Sequence, residues 1–303
     1  MQTEQHQQRC AVIALIGAPN AGKSTLVNQL TGAKVSIVTH KVQTTRARIR
    51  GIAIEQTSQL ILVDTPGIFA PKRRLDRAMV EAAWGGARDA DITVLLIDAA
   101  KGLDEDSESI IDGLAGISGL KILLLNKVDL VKKDALLKLT DTVSQRAEFS
   151  EIFMISALNG DGVRDVRAYL AQHAPVGPWL YPEDQISDAP LRHLAAEITR
   201  EKLTLRLHQE LPYASTVETT LWKQLKNRRV RIEQTVYVMR DSQKKILLGK
   251  NGQTIKTISM EARKEISGIL DKPVDLFLFV KVRQKWGDDP ERYAEMGLEF
   301  PKN

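Results

Sequence analysis

The residues best equipped for chemistry are Gly17-Ala18-Pro19-Asn20-Ala21-Gly22-Lys23-Ser24, with Thr25 directly after them. They follow an apolar run at 11–16 and lead into a stretch, Thr25-Leu-Val-Asn-Gln-Leu30, that reads as the start of a helix. Strand, glycine-bounded turn with lysine and serine, then helix is the setting of a phosphate-binding loop. Glycine at 17 and 22 allows backbone angles and a close approach that a side chain would block. Successive N–H groups can then face phosphate oxygens, helped by the positive end of the following helix. Lys23 is expected to reach the β- and γ-phosphates and the Ser24 hydroxyl to ligate Mg²⁺. Alone, the loop implies a nucleoside triphosphate and no more.

Three further groups fall after later apolar runs. In Asp64-Thr-Pro-Gly67 the carboxylate can hold Mg²⁺ through water, and the Gly67 N–H can contact a γ-phosphate. In Asn126-Lys127-Val-Asp129 the Asp129 carboxylate can accept two hydrogen bonds from N1 and the 2-amino group of guanine, paired donors that adenine lacks. Asn126 can bind the base edge, and the aliphatic stem of Lys127 can cover the ring. A site built on a required hydrogen bond rejects the analogue lacking it by about 10⁴. Ser156-Ala157-Leu158 gains meaning only from position: the Ala157 N–H is placed to meet the guanine carbonyl.

The elements that must position these groups are short apolar runs at 11–16, 60–63, 92–97, 122–125 and 152–155, separated by helical stretches at 23–31, 75–88, 104–117 and 132–147. Continuous apolar runs are expected of parallel strands buried on both faces. The alternation predicts a doubly wound, mostly parallel α/β sheet, with ligands at the carboxyl ends of the strands. Every polar group above lies at such an end.

The order of these motifs resembles that of translation-factor-class GTPases. Gln43-Thr44-Thr45-Arg46 looks like the first switch of the Era/MnmE-type group. The resemblance implies that Thr45, with Thr44 as the alternative, coordinates Mg²⁺ when triphosphate is bound, so that Lys23, Thr45, Asp64 and Gly67 form the catalytic set and Ser24, Thr45 and Asp64 the metal set. Ile68 occupies the place where Ras-like proteins carry the glutamine that orients water, and an apolar side chain cannot do this. Arg46, Arg48, Arg73 and Arg74 are arginine-finger candidates by charge only, and read as solvated switch-loop residues. Slow intrinsic hydrolysis is therefore expected, accelerated by a partner or a monovalent cation. Asn20 matches the loop asparagine associated with K⁺ use in related GTPases.

Prolines and a glycine crowd the stretch after residue 174, and 175–189 reads as an interdomain linker between a GTPase domain at 9–174 and a second domain at 190–303. The second half shows a helical pattern at 190–210, two alternating strands at 217–223 and 230–238, and then Gly249-Lys250-Asn251-Gly252 between short helical patterns. A strand at 274–282 closes it, with Phe277 and Phe279 on one strand face, read as core. This order resembles a type II KH domain, a smaller α+β unit. Its GxxG backbone approaches the phosphates of about four nucleotides while a groove reads unstacked bases. Lys244, Lys245, Lys250, Lys256 and Arg229 join Gly249, Asn251 and Gly252 as candidate RNA contacts. The tail from Trp286 onward reads as a short terminal helix.

The 303 residues are 43% hydrophobic and 27% charged, ordinary for globular domains. Cys10 is the single cysteine, which excludes an internal disulfide framework and fits a reducing compartment. The polar opening lacks the layout of a signal peptide, and no run approaches the roughly 18 apolar residues of a spanning helix. A net charge of +5 hints at an anionic partner, and the basic residues of the second half give it an address in single-stranded RNA. A GTPase joined to a KH domain resembles, over essentially the whole chain, the Era family. That resemblance implies GTP and GDP as ligands, the 3′ end of 16S ribosomal RNA and the 30S subunit as partners, a monomer in the cytoplasm, and peripheral contact with the inner face of the cell membrane. The main alternative is an RNA-binding assembly chaperone whose nucleotide is structural.

Overall fold

The computed structural model describes residues 7–42, 44–208, 211–284, 286 and 289–301, and divides them into two compact units. The first runs through Ser36, resumes at Thr45–Asp188 and takes in the residues from Met296; the second comprises Ile37–Thr44 and Ala189–Glu295. Gln43 of the first-switch stretch and Asp288 of the tail lie outside the described residues.

The first unit contains β1 (Arg9–Gly17), β2 (Ile49–Glu55), β3 (Ser58–Asp64), β4 (Ile92–Asp98), β5 (Leu120–Asn126) and β6 (Glu151–Ile155) in the order β2-β3-β1-β4-β5-β6. Only β2 runs antiparallel, paired with β3 from Ile49↔Asp64 to Glu55↔Ser58. Burial on both faces explains the continuous apolar runs of β1, β3, β4 and β5, whereas β6 is an edge strand with Met154 exposed. Ile13 and Leu15 pack with α1 (Lys23–Thr31) and α5 (Val163–His173) through Leu26, Val27, Val166 and Leu170. Ala14 and Ile16 belong to the opposite cluster, with Ala83 and Ala87 of α2 (Arg74–Arg88), Ile110 and Ile111 of α3 (Glu105–Gly113) and Leu136 and Val143 of α4 (Lys133–Ser144). The sheet is therefore doubly wound.

Two elements exceed the sequence expectation. β2 is an edge strand that begins inside what reads as an arginine-rich switch loop. α5 is signalled by Val163, Val166 and Leu170, spaced by three and four residues and all buried. The proline-rich stretch is hydrogen-bonded to this unit: Trp179 Nε1 donates to the Thr57 carbonyl at 3.0 Å, Gln59 Nε2 to Tyr181 O at 2.8 Å, and the Ile52 N–H to Ile186 O at 2.9 Å.

The second unit orders α6 (Leu191–Arg206), β7 (Ser215–Gln224), β8 (Val230–Val238), α7 (Asp241–Leu248), α8 (Gln253–Leu270) and β9 (Val274–Val282), followed by α9 (Pro290–Glu295). β7 and β8 are antiparallel with a register shift between Thr219 and Leu221, and β9 lies parallel to β8. Ala195, Ile198, Ile232, Ala262, Ile266 and Leu276 form one core cluster. Among the described residues helices cover one sheet face, so alternation along β9 turns Val274 and Leu276 inward and Phe277 and Phe279 outward. The expectation that both phenylalanines are core is thus corrected: they are 45% and 49% exposed, with the Arg231 guanidinium 4.9 Å above the Phe277 ring. Trp286 is buried and donates Nε1–H to Ala214 O at 3.0 Å. Among the described residues no helix is long and apolar enough to cross a membrane.

Candidate nucleotide and RNA sites

The loop from Gly17 joins β1 to α1, at the carboxyl edge of the first sheet. Gly22 has φ 104°, and a Cβ there would fall 2.1 Å from Asn126 Nδ2. Lys23 is buried, and its Nζ donates to the carbonyls of Gly17 and Ala18, each at 3.0 Å. Burial lowers its pKa to about 8, against the opposing pull of the Asp64 carboxylate. A phosphate would offer this ammonium an anionic partner in place of two neutral carbonyls.

The metal set converges. Asp64 Oδ2 accepts from Ser24 Oγ at 2.7 Å, from Ser36 Oγ at 2.6 Å and from Thr45 Oγ1 at 3.3 Å, while the Ser24 and Thr45 hydroxyls lie 2.9 Å apart. Thr44 does not join them: its hydroxyl donates to Lys41 O at 2.7 Å. Asp64 is fully buried, and its Oδ1 accepts no hydrogen bond. Burial raises the Asp64 pKa, opposed by the hydrogen bonds from Ser36, Ser24 and Thr45 and by the Lys23 charge. Two hydroxyls and a carboxylate, one of whose buried oxygens is unsatisfied, fit a hard, oxygen-seeking cation such as Mg²⁺. Ser36 escapes a sequence reading because a serine in a polar loop carries no signal until the fold brings it to Asp64.

Gly67 follows, and the Ile68 N–H donates to Gly17 O at 3.1 Å, joining this loop to the phosphate loop. The Ile68 side chain is buried in the cluster containing Ala18 and Leu95. Arg46 and Arg48 are not the solvated charges expected. Arg46 is 4% exposed, and Arg48 Nε donates to Ala82 O of α2 at 2.7 Å.

The guanine motifs meet at the ends of β5 and β6, where both amide atoms of Asn126 are engaged by the protein. Its Nδ2 donates to Ala21 O at 2.7 Å, and its Oδ1 accepts the Ala157 N–H at 2.9 Å. The amide therefore spans the phosphate loop and the Ser156-Ala157-Leu158 turn. Lys127 stands in the left-handed region at φ 65°. Asp129 is exposed and has no protein hydrogen bond among the described residues. Leu158 is exposed; Ser156 is buried, its N–H donating to Asp161 O at 3.0 Å.

In the second unit the Gly249–Gly252 turn joins α7 to α8, with positive φ at Gly249, Asn251 and Gly252. A Cβ on Gly249 would meet Thr254 Oγ1 at 2.2 Å. Lys245, Lys250 and Lys256 are exposed around the turn, with Lys244 partly so. Arg229 is elsewhere. It precedes β8, whose far end leads to α7, and a nine-residue strand spans roughly 30 Å. Its Nε donates to Asp275 at 2.9 Å in an ion pair across the strand starts. The same unit holds Ile37–Thr44 beside α6: the Val38 N–H donates to Glu201 Oε1 at 2.9 Å, Lys41 Nζ to Thr204 O at 2.5 Å, and Arg200 Nη2 to Thr44 O.

Comparison with known proteins finds two families in the chain. A family model described as a 50S ribosome-binding GTPase matches residues 12–127, and a KH domain model matches 210–287. The chain is 64% identical over 294 residues to the GTPase Era of Bradyrhizobium diazoefficiens, covering 97% of this chain and 96% of that one. It is 63% identical over 300 residues to the GTPase Era of Brucella suis biovar 1, covering 99% and 96%. Among solved structures it is similar to Era in complex with MgGDPNP and nucleotides 1506–1542 of 16S ribosomal RNA. That match has a TM-score of 0.89 at 36% identity, covering 96% of this chain and 99% of the other. A single-residue variant of Aquifex aeolicus Era bound to GDP·AlF4⁻ matches with the same figures.

Proposed function

This chain belongs to the Era family of GTPases, and from that premise we propose a GTP-hydrolysing switch that holds the single-stranded 3′ end of 16S ribosomal RNA on its KH unit during maturation of the 30S subunit. The observation that carries the reading is a division between two neighbours in the chain. Thr45 bonds with Ser24 and Asp64 in the GTPase unit, whereas Thr44 groups with the KH unit. Whatever Thr45 does in response to the γ-phosphate is passed across one peptide bond to Ile37–Thr44.

Ser24, Thr45 and Asp64 would hold Mg²⁺, which neutralises charge building on the phosphate oxygens during transfer. Lys23 moves from loop carbonyls to phosphate. Asp129 reads the guanine edge, with Ser156, Ala157 and Leu158 forming the neighbouring wall. Asn126 keeps the two loops in register. The buried, apolar Ile68 supports slow intrinsic hydrolysis that RNA, a partner or K⁺ accelerates, with Asn20, at φ 65°, in the loop position that the family associates with K⁺. Gly249–Gly252 with Lys244, Lys245, Lys250 and Lys256 supports RNA binding through phosphates. The same reading gives a cytoplasmic monomer, with peripheral contact at the inner face of the cell membrane as the family resemblance implies.

The deciding experiment measures affinity for a 3′-terminal 16S RNA oligonucleotide with GDP and with a non-hydrolysable GTP analogue. A switch requires unequal affinities, and RNA must then change nucleotide affinity by the same factor. Equal affinities would refute coupling and favour a constitutive RNA-binding chaperone.

A further inference from the structure

One buried carboxylate at the nucleotide edge has no part in the site so far. Asp98 ends β4 and is 8% exposed. Its Oδ1 accepts the Ala100 N–H at 3.1 Å, and its own carbonyl accepts the N–H groups of Lys101 and Gly102, each at 3.0 Å. The next residue is anchored too: the Ala99 N–H donates to Asn126 O at 2.9 Å, which fixes the end of β4 to the end of β5. Asp98 is thus held from three sides. Its remaining oxygen, Oδ2, lies 2.5 Å from Lys127 Nζ.

Lys127 is the residue whose stem covers the base, and it is constrained at both ends. Its backbone takes the left-handed conformation, which non-glycine residues adopt uncommonly. Its ammonium is a compact charge on a flexible four-carbon stem that would otherwise sample many rotamers in water. Pairing with an immobile carboxylate removes that freedom before nucleotide arrives, and ordering a side chain in advance favours binding.

We propose that Asp98 is a positioning residue for guanine-nucleotide binding, holding the Lys127 ammonium so that the lysine methylenes form a preset wall for the purine. This rests on the guanine reading of Asn126–Asp129. Asp98 itself touches no nucleotide. It acts through Lys127, so its effect must vanish when Lys127 cannot pair.

The test is a double-mutant cycle in the full chain, reading release of fluorescent N-methylanthraniloyl-GDP by stopped flow. Asp98→Asn keeps an oxygen for the Ala100 N–H but sets an amide against the ammonium. Lys127→Met keeps the apolar stem and removes the charge. Asp98→Asn is expected to speed release about three- to tenfold, the range for one partly exposed charged hydrogen bond. The double variant should release no faster than Lys127→Met alone. Asp98→Ser, which removes the charge while leaving a hydroxyl near Ala100, runs the same cycle if Asp98→Asn folds poorly in a nucleotide-free melt. Multiplying effects, or wild-type release by Asp98→Asn beside fast release by Lys127→Met, would overturn the positioning role. Wild-type release by a folded Lys127→Ala, which deletes the stem, would instead overturn the guanine reading of Lys127.

Discussion

Asn126 donates to the Ala21 carbonyl at 2.7 Å, across 105 residues of sequence, and so hydrogen-bonds the guanine motif to the phosphate loop. Its other amide atom takes the Ala157 N–H, so one buried side chain fixes three loops on three strand ends. The asparagine is thereby a brace between these loops. This also accounts for Gly22, since a Cβ there would displace the Asn126 amide.

Asn126→Ala leaves the Ala21 carbonyl and the Ala157 N–H buried without partners. Each costs about 1–3 kcal/mol when unsatisfied, so the nucleotide-free protein should lose a few kcal/mol of stability as well as nucleotide affinity. Chemical denaturation without nucleotide checks this. Unchanged stability would mean that the amide serves the base alone.

Thr45 and Thr44 should part company on substitution. Thr45→Val removes a hydroxyl from the Ser24–Asp64 cluster and should weaken Mg²⁺-dependent retention of a GTP analogue at least tenfold while sparing GDP, on the expectation that the first switch engages only the triphosphate state. Thr44→Val should leave Mg²⁺ dependence intact. Magnesium titrations of analogue release read both, and the reverse ranking would assign the metal to Thr44.

Lys23 makes nucleotide binding pH-dependent. Its pKa in the free protein is about 8, and phosphate oxygens around it must raise that value. Between the two values the complex holds a proton that the free protein lacks, so binding takes up a proton and affinity falls as pH rises above about 8. Below about 8 both states are protonated and this contribution is flat. Titration calorimetry of GDP binding near pH 9, in buffers of different ionisation enthalpy, should show proton uptake.

Gly249 and Gly252 predict separable RNA defects. Gly252→Asp strains a residue at φ 74° and puts a negative charge where RNA phosphates are expected, so RNA binding should fall more than tenfold while hydrolysis without RNA is unchanged. Gly249→Ala adds a clash with Thr254 and should also loosen the start of α8, visible as faster amide exchange there. Intact RNA binding by Gly252→Asp would remove the turn from the interface.

The sequence by itself determined what is local. Gly17–Ser24 is one strand-turn-helix unit whose chemistry lies within eight adjacent residues, and Gly249–Gly252 is a turn between two helices. Four of the five apolar runs were legible because strands buried on both faces must be apolar throughout, the fifth lying on the partly exposed edge strand β6, and their alternation with helical stretches named the doubly wound class. What only the tertiary structure decided are relations across strands and between faces. Thr45 was separated from Thr44 by its distance to Asp64, and Ser36 and Asp98 acquired partners that no spacing advertises. Arg229 was set apart from the Gly249–Gly252 turn by the length of β8, and Phe277 and Phe279 were turned to the open side of a sheet covered on one face. The reason is physical: motifs record the backbone conformation of neighbours in the chain, whereas side-chain partners depend on strand order and register, and in the sheet β2-β3-β1-β4-β5-β6 the ends that meet come from distant parts of the chain.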